Sequence, residues 1–227
     1  MATVELDQEK ETKIQTLVSL KKQDLVGKKV IVRVDFNVPL ANGEITDDTR
    51  IWASLPTIMY LIHKGAKIII LSHLGRPKGQ VKKEFSLRPI VERLKTITPF
   101  RIHFSDEILG EEPESKINEM NNGEILVLEN IRFSPDEEKN DESFSKQLAQ
   151  LGDIYVNDAF GCAHRAHAST EGISNHIPSY AGCLLDKEIK TLGGIFESPE
   201  QPLVAIIGGS KVSTKIQVLE NLLDRVD

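Results

Sequence analysis

Five apolar runs in the chain each end in a polar or cationic cluster. The runs with their polar ends are VIVRVDFN (30 to 37), IIILSHLGRP (68 to 77), ILVLENIRF (125 to 133), IYVNDAFGCAHRAH (154 to 167) and LVAIIGGSK (203 to 211). Short continuous apolar runs are typical of strands that are buried on both faces of a parallel sheet. The pattern predicts an α/β fold, with a parallel sheet flanked by helices in a Rossmann-like three-layer domain.

Helical periodicity fills the segments between these runs. After the first run, Ile51, Leu55 and Ile58 recur at helical spacing, and Gly65 supplies a stop signal. A second helix is predicted in SLRPIVERL, which opens at Ser86. This alternation of strands and helices is the signature of βαβ units.

Two shorter elements follow in the middle of the chain. PFRIHF (99 to 104) is patterned as a strand, and Phe144 and Leu148 mark a short helix that Gly152 closes. The acidic run DEEKNDE (136 to 142) lies between them and is predicted to be a solvated loop and helix start.

The last part of the chain predicts a boundary between two domains. Residues 1–183 would form the first domain, and residues 184–198, with Gly193 and Gly194 inside a helical pattern, would form an interdomain helix or hinge. PLVAIIGG then predicts a buried strand that runs into a glycine turn. Because one strand and one helix cannot cover both faces of a sheet, residues 199–227 are expected to begin an incomplete second α/β domain.

Composition and charge favour a cytoplasmic enzyme. The 227 residues carry a formal net charge of −6, which argues against a nucleic-acid partner. Cys162 and Cys183 are too few for a secreted disulfide framework. No apolar run approaches the roughly 20 residues of a membrane span. The segment from Met1 to Lys13 lacks the features of a targeting signal and is expected to be a frayed extension.

The polar ends of the apolar runs predict one ligand-binding surface. In open parallel α/β sheets, ligands sit outside the carboxyl ends of the strands, so these ends would converge. The cationic residues that would meet there are Arg33, Arg50, His73, Arg76, Arg132, His164, Arg165 and His167. Because Arg forms bidentate bonds to phosphate and carboxylate, the expected ligand is a small polyanionic metabolite.

Alternatives stay open for single residues of this surface. Arg33, Asp35 and Asn37 alternate along the predicted strand, so all three would point to the same side. Arg33 beside Asp35 is also compatible with a purely structural salt bridge. His73 is as readily interpreted as a hydrogen-bonded core histidine as a ligand contact. Gly75 follows it in a turn that would let backbone approach a ligand.

A metal site is a weaker interpretation of the HRAH segment. Its donors would be Asp158, Cys162, His164 and His167. The spacing matches no recognised zinc pattern and Arg165 would repel a cation, so no metal site is predicted. Cys162 is expected to be a small packed residue rather than a nucleophile.

The segment GGSKVSTK (208 to 215) predicts a second phosphate-binding feature. Lys211 and Lys215 lie four residues apart on one face of a predicted helix that follows a glycine turn. Exposed N–H groups, the helix dipole and two ammonium groups would together attract a phosphate, and two solvated surface lysines are the open alternative. The Walker pattern is not matched, because Ser210 precedes the lysine where glycine is required.

Six motifs, taken in chain order, closely resemble those of phosphoglycerate kinase. They are RVDFNVP, ITDDTR, SHLGRP, LENIRF, VNDAFGCAHRAH and GGSKVSTK, and the resemblance runs from about Lys22 to the last residue. It implies a two-lobed glycolytic kinase, with an N-terminal phosphoglycerate-binding domain and a C-terminal nucleotide-binding domain. The implied reaction moves the acyl phosphate of 1,3-bisphosphoglycerate to ADP, reversibly, giving 3-phosphoglycerate and ATP.

The resemblance also implies roles for individual residues. Arg50 and Lys215 would be catalytic, Arg50 by facing the transferring group and Lys215 by stabilising transferred charge. The residues implied to bind phosphoglycerate are Asp35, Asn37, Arg50, His73, Arg76, Arg132 and Arg165, and those implied to bind nucleotide phosphates are Gly209, Lys211 and Lys215. The implied cofactor is Mg²⁺ with ATP or ADP, the implied partners include neither nucleic acid nor membrane, and the implied full-length state is a monomer.

Length is the departure from the family pattern. Family members are roughly twice this size, as two full domains require. The chain is therefore expected to lack the adenine pocket and the Mg-binding acidic residue. Two hypotheses follow: this is the substrate half of a kinase, binding substrate without full activity, or it is a standalone anion-binding module without turnover.

Overall fold

The structure is a computed structural model, and it describes residues 14–197, residues 201–208 and positions 216, 220 and 226. The chain divides into two compact units, Met1–Leu185 and Asp186–Asp227. The first unit contains every strand of the described residues. Within the described part of the chain, no helix is both long enough and apolar enough to cross a membrane.

The first unit is built on a six-stranded parallel sheet. Its strands are β1 (Lys29–Arg33), β4 (Lys67–Leu71), β5 (Ile102–Phe104), β6 (Ile125–Val127), β7 (Ile154–Asn157) and β8 (Ser179–Ala181). They lie in the order β5-β6-β4-β1-β7-β8, and every pairing is parallel. The chain thus builds the sheet on one side of β1 first and crosses to the other side with β7.

Five α-helices can be bounded among the described residues, together with a small hairpin. The helices are α1 (Thr49–His63), α2 (Arg88–Ile97), α3 (Glu111–Glu119), α4 (Glu142–Gln150) and α5 (Cys183–Glu197), and the antiparallel hairpin is β2 (Leu40–Ala41) with β3 (Glu44–Ile45). The helix α1 continues through Pro56. At the start of α4, the Asp141 carboxylate accepts the Phe144 N–H at 2.8 Å, which satisfies one free donor of the helix end.

Successive strand residues face two separate cores, because side chains alternate along a strand. Val30 and Val32 of β1 pack in one core with the apolar residues of α1 and α2. Ile31 between them packs in the other core with residues of α3 and α4. Residues of β4, β6 and β7 divide between the cores in the same way. This helix–sheet–helix layering confirms the fold class predicted from the apolar runs.

Four of the five apolar runs form the predicted strands, although the first strand is shorter than expected. It ends at Arg33, so Asp35 and Asn37 lie in the loop beyond it. Side chains satisfy the backbone there in place of a neighbouring strand, since the Asp35 carboxylate accepts the Asn37 N–H at 3.1 Å and the Ser72 hydroxyl accepts the Phe36 N–H at 2.9 Å. The prediction that the three polar residues alternate along one strand was wrong.

The fifth apolar run does not form the predicted buried strand in its described part. Residues 201–208 contain no strand, and Val204 and Ile206 are 68% and 95% exposed. Apolar content alone does not create a strand, which forms only where a neighbour supplies backbone hydrogen-bond partners. Periodicity also missed β8, the hairpin and α3, all of which are too short or too polar to give a clear signal.

Candidate anion-binding site

The predicted phosphoglycerate-binding residues of the first unit lie in the loops at one edge of the sheet, except for one. Asp35 and Asn37 follow β1, His73 and Arg76 follow β4, Arg132 follows β6 and Arg165 follows β7; Arg50 is the second residue of α1. We use the term cationic cluster for Arg33, Arg50, His73, Arg132 and Arg165. All four guanidinium groups lower the pKa of His73, so their charges act on the same point.

His73 is the buried centre of the cationic cluster. Its side chain is 2% exposed, and its Nδ1 lies 3.1 Å from Nη2 of Arg33. A guanidinium can only donate hydrogen bonds, so Nδ1 is the acceptor and carries no proton. Burial, followed by the charges of Arg33 and Arg132, lowers the pKa of His73 far below its ordinary value. The imidazole is therefore neutral and adds no positive charge to the site.

Arg33 does not form the salt bridge with Asp35 that remained an open alternative. Asp35 instead pairs with Arg50, whose Nη1 lies 2.5 Å from a carboxylate oxygen of Asp35. Arg33 is 1% exposed and bonds to the main-chain oxygen of Val34 as well as to His73. Arg33 is thus a buried charge that supports His73 and not an exposed contact of the site.

Gly75 connects the loops that follow β1, β4 and β6. Its N–H donates to Oδ1 of Asn37 at 2.8 Å, and its main-chain oxygen accepts from Nη1 of Arg132 at 2.8 Å. The backbone has φ +61°, and a Cβ at this position would overlap the ring of Phe85. Only glycine meets both conditions without strain. The predicted glycine turn thus serves to place Asn37 and Arg132 near each other.

Arg132 is almost entirely buried, with 5% of the residue exposed. Burial lowers the pKa of its guanidinium. Its Nε lies 3.2 Å from a carboxylate oxygen of Glu138 but has no hydrogen-bond partner among the described atoms. This nitrogen is itself buried, so the charge of Glu138 is what compensates it within the described residues.

Arg165 and Arg76 make no side-chain hydrogen bond or ion pair within the described part of the chain. The Arg165 backbone is nevertheless held, because the Thr170 hydroxyl donates to its main-chain oxygen at 2.6 Å and accepts the His167 N–H at 3.1 Å. Arg76 is exposed in the loop after β4, next to Gly75. Both guanidinium groups keep their full bonding capacity for an external anion.

Two buried residues of this region were missed from the sequence. Glu137 was placed in a solvated loop, but it is fully buried and accepts hydrogen bonds from the Ser169 N–H at 2.9 Å and the Ser169 hydroxyl at 2.7 Å. Ser169 is fully buried as well. Nothing in an acidic run of sequence indicates that one of its side chains is buried, so no sequence signal would have identified Glu137.

The residues weighed as metal donors do not come together as one group. Asp158 is engaged elsewhere, since its Oδ1 accepts the N–H groups of Leu184 and Leu185 at 2.8 and 3.3 Å at the start of α5. Cys162 instead lies with Asp35 and His73, with donor atoms within 4.8 Å of one another. Burial raises the pKa of the Cys162 thiol, which is consistent with a packed rather than a nucleophilic cysteine.

The cationic cluster does not coincide with a large groove of the surface nearby. A groove of about 860 Å³ lies between the hairpin and α2, where Arg93 pairs with Asp48 at 2.8 Å. None of its lining residues belongs to the cationic cluster. Asn37 and Gly75 instead line a second groove, of about 380 Å³.

The family model of phosphoglycerate kinase matches residues 20–227. The chain belongs to the phosphoglycerate kinase family. Phosphoglycerate kinase of Moorella thermoacetica is 55% identical over 210 residues, and that of Trichodesmium erythraeum is 55% identical over 214. These alignments cover 92% and 94% of this chain, and 53% and 54% of the two relatives. The chain thus spans about half the length of the curated relatives that it matches.

Solved structures of the phosphoglycerate kinase family have the same fold. The structure from Coxiella burnetii has a TM-score of 0.83 at 42% identity, and that from Pyrococcus horikoshii has a TM-score of 0.85 at 34%. Each match covers 94% of this chain and 53% or 54% of the solved chain. Family membership inferred from the six motifs is confirmed. The roles of individual residues stay predictions.

Proposed function

We propose that the chain provides the phosphoglycerate-binding part of a phosphoglycerate kinase. The reaction is the reversible transfer of a phosphoryl group between 1,3-bisphosphoglycerate with ADP and 3-phosphoglycerate with ATP. One observation carries the proposal: Arg33 bonds to a neutral His73 just after β4, and the charges of Arg50, Arg132 and Arg165 act on the same imidazole. Phosphoglycerate carries a phosphate and a carboxylate, the two groups that Arg binds in a bidentate manner.

The proposed contacts with the ligand are of two kinds, ionic and hydrogen-bonding. Arg132, Arg165 and Arg76 would bind its anionic groups, and the side chains of Arg165 and Arg76 make no hydrogen bond or ion pair within the described residues. Asp35 and Asn37 would orient its hydroxyl and carboxylate groups, and His73 would donate from Nε2 because its Nδ1 accepts from Arg33. Arg50 at the edge of the cationic cluster would face the transferring phosphoryl group.

Phosphoryl transfer needs positioning and charge stabilisation more than covalent chemistry by the protein. In this proposal, Gly209, Lys211 and Lys215 would hold the nucleotide phosphates, and Lys215 would stabilise the charge in transfer. All three lie outside the described residues. Mg²⁺ would come with ATP or ADP and neutralise phosphate charge, and its assignment rests on the family resemblance.

Calorimetric titration of 3-phosphoglycerate tests the proposed function directly. We expect saturable binding that weakens as salt is raised, because exposed charges are screened. Glycerate, which lacks the phosphate, is the matched control ligand and should bind far more weakly. Equal binding of inorganic phosphate and 3-phosphoglycerate would favour the standalone anion-binding module. No binding of either ligand would contradict the proposal.

Lys215→Ala should leave the affinity for 3-phosphoglycerate within about twofold, as for a surface substitution. The reason is that Lys215 is proposed to act on the nucleotide phosphates and not on the phosphoglycerate. In a chain extended to the full length of its relatives, the same change should mainly lower the rate of transfer, because the charge develops at the transition state. Calorimetry of the 227-residue variant checks the first part, and a large affinity loss there would place Lys215 in the substrate site.

A further inference from the structure

Glu137 is a fully buried carboxylate for which the proposed reaction has no assigned role. It lies in the loop between Arg132 and α4. Both carboxylate oxygens bond to one residue: Oε2 accepts the Ser169 N–H at 2.9 Å, and Oε1 accepts the Ser169 hydroxyl at 2.7 Å. Removing a carboxylate from water is costly, so a buried one persists only where such partners and a countercharge compensate for it.

Ser169 connects this carboxylate to the cationic cluster. Its hydroxyl proton is donated to Glu137, so an oxygen lone pair is free to accept Nε–H of Arg33 at 2.9 Å. Arg33 in turn donates to Nδ1 of His73 at 3.1 Å. The result is a continuous buried path of hydrogen bonds from Glu137 through Ser169 and Arg33 to His73, and each bond polarises the next.

The same carboxylate holds the loop that carries Arg165. The main-chain oxygen of Glu137 accepts the Ala168 N–H at 2.9 Å, next to the bond from the Ser169 N–H. The ring of His167 also lies near, with Nδ1 3.8 Å from Oε1 of Glu137. Glu137 therefore contacts, through its carboxylate and its main-chain oxygen, residues next to two guanidinium groups, that of Arg33 on β1 and that of Arg165 after β7.

We propose that Glu137 is a positioning residue of the cationic cluster. Through Ser169 it holds Arg33 against His73, and this bond keeps Nδ1 as an acceptor, so the ring proton is on Nε2. Through the bond from the Ser169 N–H to its carboxylate it also holds the loop that carries Arg165. The nature of the ligand rests on the proposed function, whereas the hydrogen-bond path itself does not.

The path can be tested without any ligand, by ¹⁵N NMR of the side chains. We expect Glu137→Gln and Ser169→Ala to shift the signals of Arg33 Nε and His73 Nδ1, because each variant breaks the same path. Glu142→Gln is the matched control, since this exposed glutamate in the first turn of α4 lies outside the path. Unchanged Arg33 and His73 signals in both path variants would overturn the proposal, and the Ser169 variant decides alone if Glu137→Gln does not fold.

Affinity for 3-phosphoglycerate gives the second readout. Each single variant should weaken binding about tenfold, the effect of losing one charge-assisted contact in the site. The double variant should weaken it no further, because both changes break one path. Multiplied losses, near 100-fold in the double variant, would overturn the path. If the unaltered chain binds no 3-phosphoglycerate, the proposed function fails, and the NMR signals still decide whether Glu137 positions Arg33.

Discussion

Arg165→Ala is expected to weaken 3-phosphoglycerate binding by about 10-fold to 150-fold, since charge-assisted hydrogen bonds contribute about 1.5 to 3 kcal/mol each. Arg165 is the cleanest residue for this test, because its side chain makes no hydrogen bond or ion pair within the described residues. Its removal should therefore leave the fold intact, and calorimetry should report the lost ligand contact alone.

Two further variants and one control test the same assignment of the binding site. Arg50→Ala should weaken binding in the same range, and Arg132→Lys should also lower affinity, because a point charge does not reproduce the planar fork of a guanidinium. Arg101→Ala is the matched control: it removes one guanidinium just before β5 begins, at the opposite edge of the sheet, where Arg101 pairs with Glu124 at 3.3 Å. Unchanged affinity in both Arg165→Ala and Arg50→Ala would contradict the assigned site.

Unfolding free energy should fall by about 3 kcal/mol between pH 3 and pH 8 because of Asp158 alone. Burial raises the pKa of this carboxyl to about 6 from an ordinary 3.8, outweighing the bonds from the N–H groups of Leu184 and Leu185, which lower it. Between pH 3.8 and pH 6, the folded chain keeps the proton on Asp158 and the unfolded chain has lost it. Stability is therefore highest below pH 3.8 and is lost as the pH rises through 6.

Asp158→Asn isolates this contribution. The amide oxygen can still accept from the start of α5, while the titration is removed, so the variant should lack the 3 kcal/mol decrease that the unaltered chain shows. Denaturant unfolding across the pH range gives the unfolding free energy of both proteins. Their difference isolates Asp158, because the titration of all other groups is common to both and cancels. The ¹³C signal of the Asp158 carboxyl should titrate near pH 6. Identical pH dependence of the two proteins, or titration near pH 4, would contradict the prediction.

The apolar runs and the motifs at their ends were enough to predict most of the fold and to select the residues of the candidate site. Strand periodicity is a local property, so four of the five runs predicted strands correctly, and the motifs at their ends predicted the carboxyl edge where His73, Arg132 and Arg165 lie. The hydrogen-bond and ion-pair partners of a polar side chain, by contrast, are not determined by its neighbours in the chain. Arg33 and Asp35 lie two residues apart, yet Asp35 pairs with Arg50 and Arg33 bonds to His73.

The amino-acid sequence by itself determined the α/β class, the family and the gathering of cations at one edge, because hydrophobic period and motif order are readable along the chain. Tertiary structure alone decided which polar groups are buried and what they contact. Glu137 reaches Ser169 across 32 positions, and Asp158 meets the start of α5 across 26. The free energy of a buried charge depends on such distant partners, so neither role could be inferred from neighbouring residues in the chain.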